Sequence, residues 1–107
     1  MNFTELCKER YEKTKSILCL GLDPVLEKFP YTKENVTNTI VSYFTEILEN
    51  FNNYIFVVKP NIAFYEQYGI EGLVALSRII DLSKKLKIPV ILDAKRGDIG
   101  NTASAYA

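Results

Sequence analysis

The chain has 107 residues, of which 48% are hydrophobic and 24% charged, and its thirteen basic and thirteen acidic side chains cancel. Nothing in that balance suggests a basic nucleic-acid face or a polybasic membrane patch, and the lack of histidine excludes a Ser-His-Asp triad or a histidine metal site within it. The length suffices for one small domain with a modest core.

The first helical pattern spans residues 3–14, with Phe3, Leu6, Cys7 and Tyr11 on one face. The start, "MNFTELCKER", is too charged for a signal peptide, and no apolar run approaches the roughly 20 residues that a membrane helix needs. The two cysteines, Cys7 and Cys19, have no framework spacing and fit free thiols in a reducing compartment. A cytoplasmic protein is expected.

Residues 16–22, "SILCLGL", form a short continuous apolar run, as expected of a strand buried on both faces. Pro24 and Pro30 make a loop of the next stretch, "DPVLEKFPYT". Thr32 is a candidate N-cap for a helix over 33–50, in which Val36, Ile40, Phe44 and Ile47 recur at helical spacing. "YIFVVK", 54–59, is a second strand rich in β-branched and aromatic residues, closed by Pro60. Helical pattern returns over 62–86 with a break near Gly69 or Gly72; Leu73, Leu76, Ile80 and Leu86 form its later apolar face. Pro89 opens a third strand, "VILD", and "NTASAYA" after Gly97 and Gly100 reads as the start of another helix.

Strands alternating with helices predict a parallel sheet with helices packed on it. A complete (β/α)8 barrel needs about 250 residues, and an open three-stranded sheet has exposed edges. The expectation is a single incomplete domain over 1–107, about three βα units forming the N-terminal part of a TIM barrel. A small standalone α/β layer is the alternative.

Each strand ends in a charged residue: Asp23, Lys59 and Asp93. In a barrel these ends ring one mouth, where active sites are built. Asp93 and Lys95 share a face if the strand persists through them, and Asp98 comes after the Arg96-Gly97 turn. Lys59, Asp93, Lys95 and Asp98 would then form an alternating acid–base array that keeps each ammonium charged. Taken singly, each has a plainer explanation. Asp98 suits an N-cap, Asp23 before Pro24 suits a turn, and Lys59 can reach water from a strand end. Their joint placement favours a site.

Three stretches, "LGLDP" at 20–24, "VKPNIAFYE" at 58–66 and "LDAKRGDIGNTA" at 92–103, resemble the orotidine 5'-phosphate decarboxylases. The third carries the whole Asp-x-Lys-x-x-Asp-Ile-x-x-Thr signature, in the form of the longer bacterial and protozoan branch. The resemblance implies a homodimeric barrel that decarboxylates orotidine 5'-monophosphate to uridine 5'-monophosphate in pyrimidine biosynthesis, with no cofactor or metal. It implies that Asp23 and Lys59 contact the ribose hydroxyls and that Asn61 shapes the substrate site. Asp93 would lie beside the departing carboxylate, and Lys95 would protonate C6. Asp98, Ile99 and Thr102 would reach into the neighbouring subunit's site. The phosphate site of such barrels usually lies in the loops after strands seven and eight, so residues 1–107 alone are expected to be inactive. Two other possibilities stand beside this one. The Asp-x-Lys-x-x-Asp core is shared with magnesium-dependent sugar-phosphate lyases and synthases, and a non-catalytic half-barrel could serve as an interaction module.

Overall fold

The structure, a computed structural model, describes residues 1–94. Helix α1 (Phe3–Thr14) leads to strand β1 (Cys19–Gly21), helix α2 (Val36–Phe51), strand β2 (Val57–Lys59), the short helix α3 (Ile62–Glu66) and helix α4 (Gly69–Lys85). Single 3-10 turns occupy Leu26–Lys28, between the two loop prolines, and Asn52–Tyr54, before β2.

Strands β1 and β2 pair in parallel, with Leu20 opposite Val58 and Gly21 opposite Lys59. Residues 90–93 lie along the other edge of β2 through parallel bridges from Val90 to Val58 and from Asp93 to Asn61. Val58 N–H donates to the Pro89 carbonyl (3.0 Å) and Ile91 N–H to the Val58 carbonyl (2.9 Å). The three segments therefore lie side by side in chain order, each reached through a helical crossover. This sequential parallel order is that of a barrel wall.

Helices α2 and α4 pack on one another, and α3 packs on α4. Ile40, Phe44 and Leu48 of α2 meet Leu22, Val58, Leu76 and Ile79 in the core. Thr37 of α2 donates its hydroxyl to the Glu71 carbonyl of α4 (2.7 Å), joining the two helices at their first turns.

Several expectations need correction. The strand expected over 16–22 is only Cys19–Gly21, and Ile17 is 83% exposed. Leu20 and Leu22 pack toward the helices, while Cys19 and Gly21 stay exposed. Burial of such a run on both faces requires an element on each, and among the described residues only one face is covered. The second strand is also shorter, because Asn52–Tyr54 turns as 3-10 and leaves Tyr54 exposed.

Helix α2 starts three residues later than expected. Its N-cap is Asn35, whose side chain accepts from Asn38 N–H (2.8 Å), and Thr32 plays no such part. The hydroxyl of Thr39 instead accepts from Lys33 N–H (2.8 Å) and donates to the Asn35 carbonyl (2.9 Å), which holds residues 33–35 outside the helix.

On α1, Phe3 and Tyr11 are exposed, and the buried residue is Arg10. On α4 the inward stripe is Gly72, Ala75, Leu76, Ile79 and Ser83, with Leu73 41% exposed. Small residues face inward because α3 lies close. A Cβ added to Gly72 would stand 1.9 Å from the Tyr65 carbonyl oxygen. The break between α3 and α4 falls where expected, and Gly69 supplies it with a φ of +69°, which favours glycine.

Candidate functional site

The site residues collect where the strands end. Past Gly21 the chain continues beside β2: Leu22 N–H donates to the Lys59 carbonyl (3.4 Å), so Asp23 comes directly after the paired strand. Pro60 stops β2, and Asn61 becomes the N-cap of α3, its side chain accepting from Ala63 N–H (3.0 Å). On the far side, Asp93 N–H donates to the Pro60 carbonyl and Ile62 N–H to the Asp93 carbonyl, both at 2.9 Å. Two backbone bonds thus fix Asp93 against Asn61.

Asp23 is tied across the strand gap. Its Oδ1 accepts from Asn61 N–H at 2.9 Å. A carboxylate serving only its own proline turn would bond locally, so the plain turn explanation does not account for this partner. Partial enclosure pushes the Asp23 carboxyl above the ordinary carboxylate range. The Asn61 N–H and the Lys59 ammonium pull it back, and the Asp93 carboxylate adds to the push. Asp23 is nonetheless exposed as a residue, so solvent screens each of these influences.

Of the expected site residues, Asp23, Lys59, Asn61 and Asp93 are therefore brought together at one end of the sheet. Asn61 is 7% exposed, and the Lys59 side chain is open to solvent. Lys95, Asp98, Ile99 and Thr102 lie outside the described residues. Among the described residues, no three His, Cys, Asp or Glu side chains are grouped to hold a metal ion, and no helix is long and apolar enough to cross a membrane. Cys7 and Cys19 are free thiols.

Sequence reasoning missed Tyr65. It is fully buried, and its hydroxyl donates to the Leu22 carbonyl at 2.6 Å, one residue before Asp23. Burial pushes its phenol far above the ordinary value, with the Asp23 carboxylate adding to the shift. It remains a protonated donor at any working pH. The available signal was a tyrosine in an otherwise apolar helix start, since a buried phenol needs a partner.

A cavity of about 340 Å³ opens between the free edge of β1 and α2, lined by Leu20, Leu22, Phe29, Tyr43, Phe44 and Ile47 among others. Asp23 borders it, but Lys59, Asn61 and Asp93 do not. It is a mostly apolar gap beside the sheet, with Lys28 also on its wall, and it meets the strand-end cluster at Asp23.

Two parallel strands with residues 90–93 bridged alongside in chain order, crossover helices, and acid and base side chains gathered at the strands' C-terminal ends are the arrangement of the opening units of a (β/α)8 barrel. Comparison with known proteins makes the class specific. The sequence model of the orotidine 5'-phosphate decarboxylase / HUMPS family matches residues 16–107. The chain belongs to that family. It is 43% identical to the orotidine 5'-phosphate decarboxylase of Thermomicrobium roseum over 107 residues, covering 100% of this chain and 38% of the relative. It is 46% identical to that of Herpetosiphon aurantiacus over 93 residues, covering 87% of this chain and 34% of the relative. The structure of Leishmania donovani OMP decarboxylase superposes with a TM-score of 0.66 at 38% identity, covering 100% of this chain and 38% of that one. The chain thus spans little more than a third of the length of the relatives it matches, and its fold is the N-terminal part of their barrel.

Proposed function

We propose that these residues are the N-terminal portion, a single incomplete domain, of an orotidine 5'-phosphate decarboxylase. It is a cytoplasmic homodimer that converts orotidine 5'-monophosphate to uridine 5'-monophosphate and carbon dioxide. The observation that carries the reading is the strand-end cluster. Asp23, Lys59, Asn61 and Asp93 stand together, and Asp93 is locked in register two residues before Lys95.

In this reaction the C6–carboxylate bond breaks, carbon dioxide leaves, and the electron pair stays on C6 with no conventional sink. The Lys95 ammonium delivers a proton to C6 and is reprotonated by solvent. A cation fixed there before reaction stabilises charge as it develops, without reorganisation cost. Asp93 holds Lys95 charged and lies beside the departing carboxylate. Asp23 and Lys59 bind the ribose hydroxyls, Asn61 shapes the pocket, and Asp98, Ile99 and Thr102 complete the partner subunit's site. Binding of the remote ribose and phosphate supplies energy that orients the pyrimidine.

The full-length protein is expected to decarboxylate the nucleotide, and Lys95→Ala is expected to abolish turnover while the circular dichroism spectrum is kept. Normal turnover in that variant would refute Lys95 as proton donor. Residues 1–107 assayed alone are expected to show no turnover, because the phosphate-binding loops of such barrels come after later strands; full activity there would refute that division of labour.

A further inference from the structure

The backbone ladder between β1 and β2 is interrupted at the site. Val57 N–H donates to the Leu18 carbonyl (3.2 Å), and Leu22 N–H donates to the Lys59 carbonyl (3.4 Å). Two rungs beyond the first of these, regular parallel pairing would join Asn61 N–H to the Leu22 carbonyl. Both groups are instead bonded to side chains. The Leu22 carbonyl accepts from the Tyr65 hydroxyl (2.6 Å), and Asn61 N–H donates to Asp23 Oδ1 (2.9 Å).

The two substitutions depend on each other. Leu22 is 1% exposed and Tyr65 fully buried, so the Leu22 carbonyl has no ready access to water. A buried carbonyl without a donor costs about 1–3 kcal/mol, and the nearest alternative donor on the ladder is Asn61 N–H. Tyr65 satisfies this carbonyl and so leaves Asn61 N–H for the Asp23 carboxylate. Tyr68, three residues on, secures the other side of the same loop: its hydroxyl oxygen accepts from Leu26 N–H at 3.0 Å. Gly72 permits the arrangement, since any larger residue there would collide with the Tyr65 carbonyl.

We infer that Tyr65 is a positioning residue for Asp23. By capturing the Leu22 carbonyl it breaks one rung of the ladder and hands the freed Asn61 N–H to the Asp23 carboxylate, which sets where that carboxylate meets substrate. The last step rests on the proposed function, in which Asp23 contacts the ribose.

The test is a double-mutant cycle in the full-length protein with Asp23→Asn, Tyr65→Phe and the pair. Tyr65→Phe is expected to lower kcat/KM for the nucleotide by about 10- to 100-fold, chiefly through KM, as the loss of one charge-assisted contact does. The double variant is expected to fall no further than Asp23→Asn alone. Fully additive losses, or no loss in Tyr65→Phe, overturn the inference. If Asp23→Asn leaves turnover intact, the assignment of Asp23 to substrate is what fails.

A second readout is independent of activity. The Asn61 amide proton resonance should track Asp23 ionisation in the wild type and stop tracking it in Tyr65→Phe; identical titrations overturn the inference. If Tyr65→Phe does not fold, Gly72→Ala, whose Cβ would press on the Tyr65 backbone, takes its place in the cycle, with coupling to Asp23→Asn supporting the inference and additivity overturning it.

Discussion

Arg10 is the sharpest test of how the strand framework is held. The residue is 2% exposed, and its guanidinium bonds to amide oxygens: Nε donates to the Ile55 carbonyl (2.8 Å), one terminal nitrogen to the Leu86 carbonyl (3.4 Å), and the other to the carbonyl and side-chain oxygen of Asn52. One guanidinium thereby joins α1 to the turn before β2 and to the end of α4. Burial lowers its pKa, but an arginine stays charged in a protein. Replacing a buried ion pair by apolar residues is often neutral. That argument does not extend to Arg10→Met, because the four acceptors remain behind. The Ile55 carbonyl is the buried one and would cost about 1–3 kcal/mol unmade. The other three are partly buried, and water entering the neighbouring cleft of about 190 Å³ would rescue some of them. The expected loss is about 3–5 kcal/mol. Arg10→Lys should recover less than half of it, since a point ammonium cannot span three directions. Urea unfolding of the full-length variants would show this as a lower midpoint at unchanged slope. Arg10 lies at the end of the sheet opposite the strand-end cluster, so turnover per folded molecule should be unchanged. An unfolding free energy for Arg10→Met within about 1 kcal/mol of wild type would refute the reasoning.

Gly72→Ala would normally stabilise a helix, but here its Cβ would stand 1.9 Å from the Tyr65 carbonyl. It should destabilise by about 1–3 kcal/mol in thermal unfolding, and a raised melting temperature would contradict the close approach. Asp23→Asn should weaken substrate binding while leaving the fold as stable or more stable at pH 7. The carboxyl's folded pKa is raised, so its contribution to stability is present below the ordinary carboxylate range and is lost as pH rises through the raised value. The wild type should therefore gain on the variant as pH falls, and a difference in melting temperature moving the other way would show the sign to be wrong.

The alternation of strands and helices was legible because strand-length apolar runs and helical spacing differ in period. The break at Gly69 was legible because glycine marks a change of direction. Strand extent was not, because an apolar run does not reveal which of its residues find a partner: Ile17 and Leu18 belong to the run yet stay exposed. The inward face of α4 was legible in part: Leu76 is in the core and Ile80 and Leu86 pack against it, but Leu73 is exposed. Leucine spacing marks where bulk recurs, whereas close helix contact selects glycine, alanine and serine. Arg10 lies one helical turn from Leu6 and Cys7 and shares their face, but its charge argued against burial until carbonyl partners came from elements far along the chain. Asp23, Lys59 and Asp93 could be singled out, and their nearness expected, because charge at the end of a strand needs an explanation that charge on a helix face does not. The Tyr65 bond to Leu22 joins residues 43 positions apart, and no local pattern encodes it.

The stretch from Lys59 to Gly72 can be understood as one device. Lys59 and Asn61 stand at the cluster, and Asn61 also caps α3 and fixes Asp93 through the bridge beside it. Helix α3 is only five residues long, too short to be stable by itself. Its packing on α4 supports it, and that length is enough to bring Tyr65, with Tyr68 just beyond, under the loop carrying Asp23. Gln67 adds little, since its amide lies 3.5 Å from the Pro24 carbonyl. Gly69 then turns the chain through a conformation that other residues resist, and Gly72 lets α4 return against the Tyr65 backbone. A longer α3 would carry the turn away from Tyr65, and a bulkier residue at position 72 would lift α3 off α4. Either change would release the Leu22 carbonyl from its phenol and let the ladder close over the place where Asp23 now bonds.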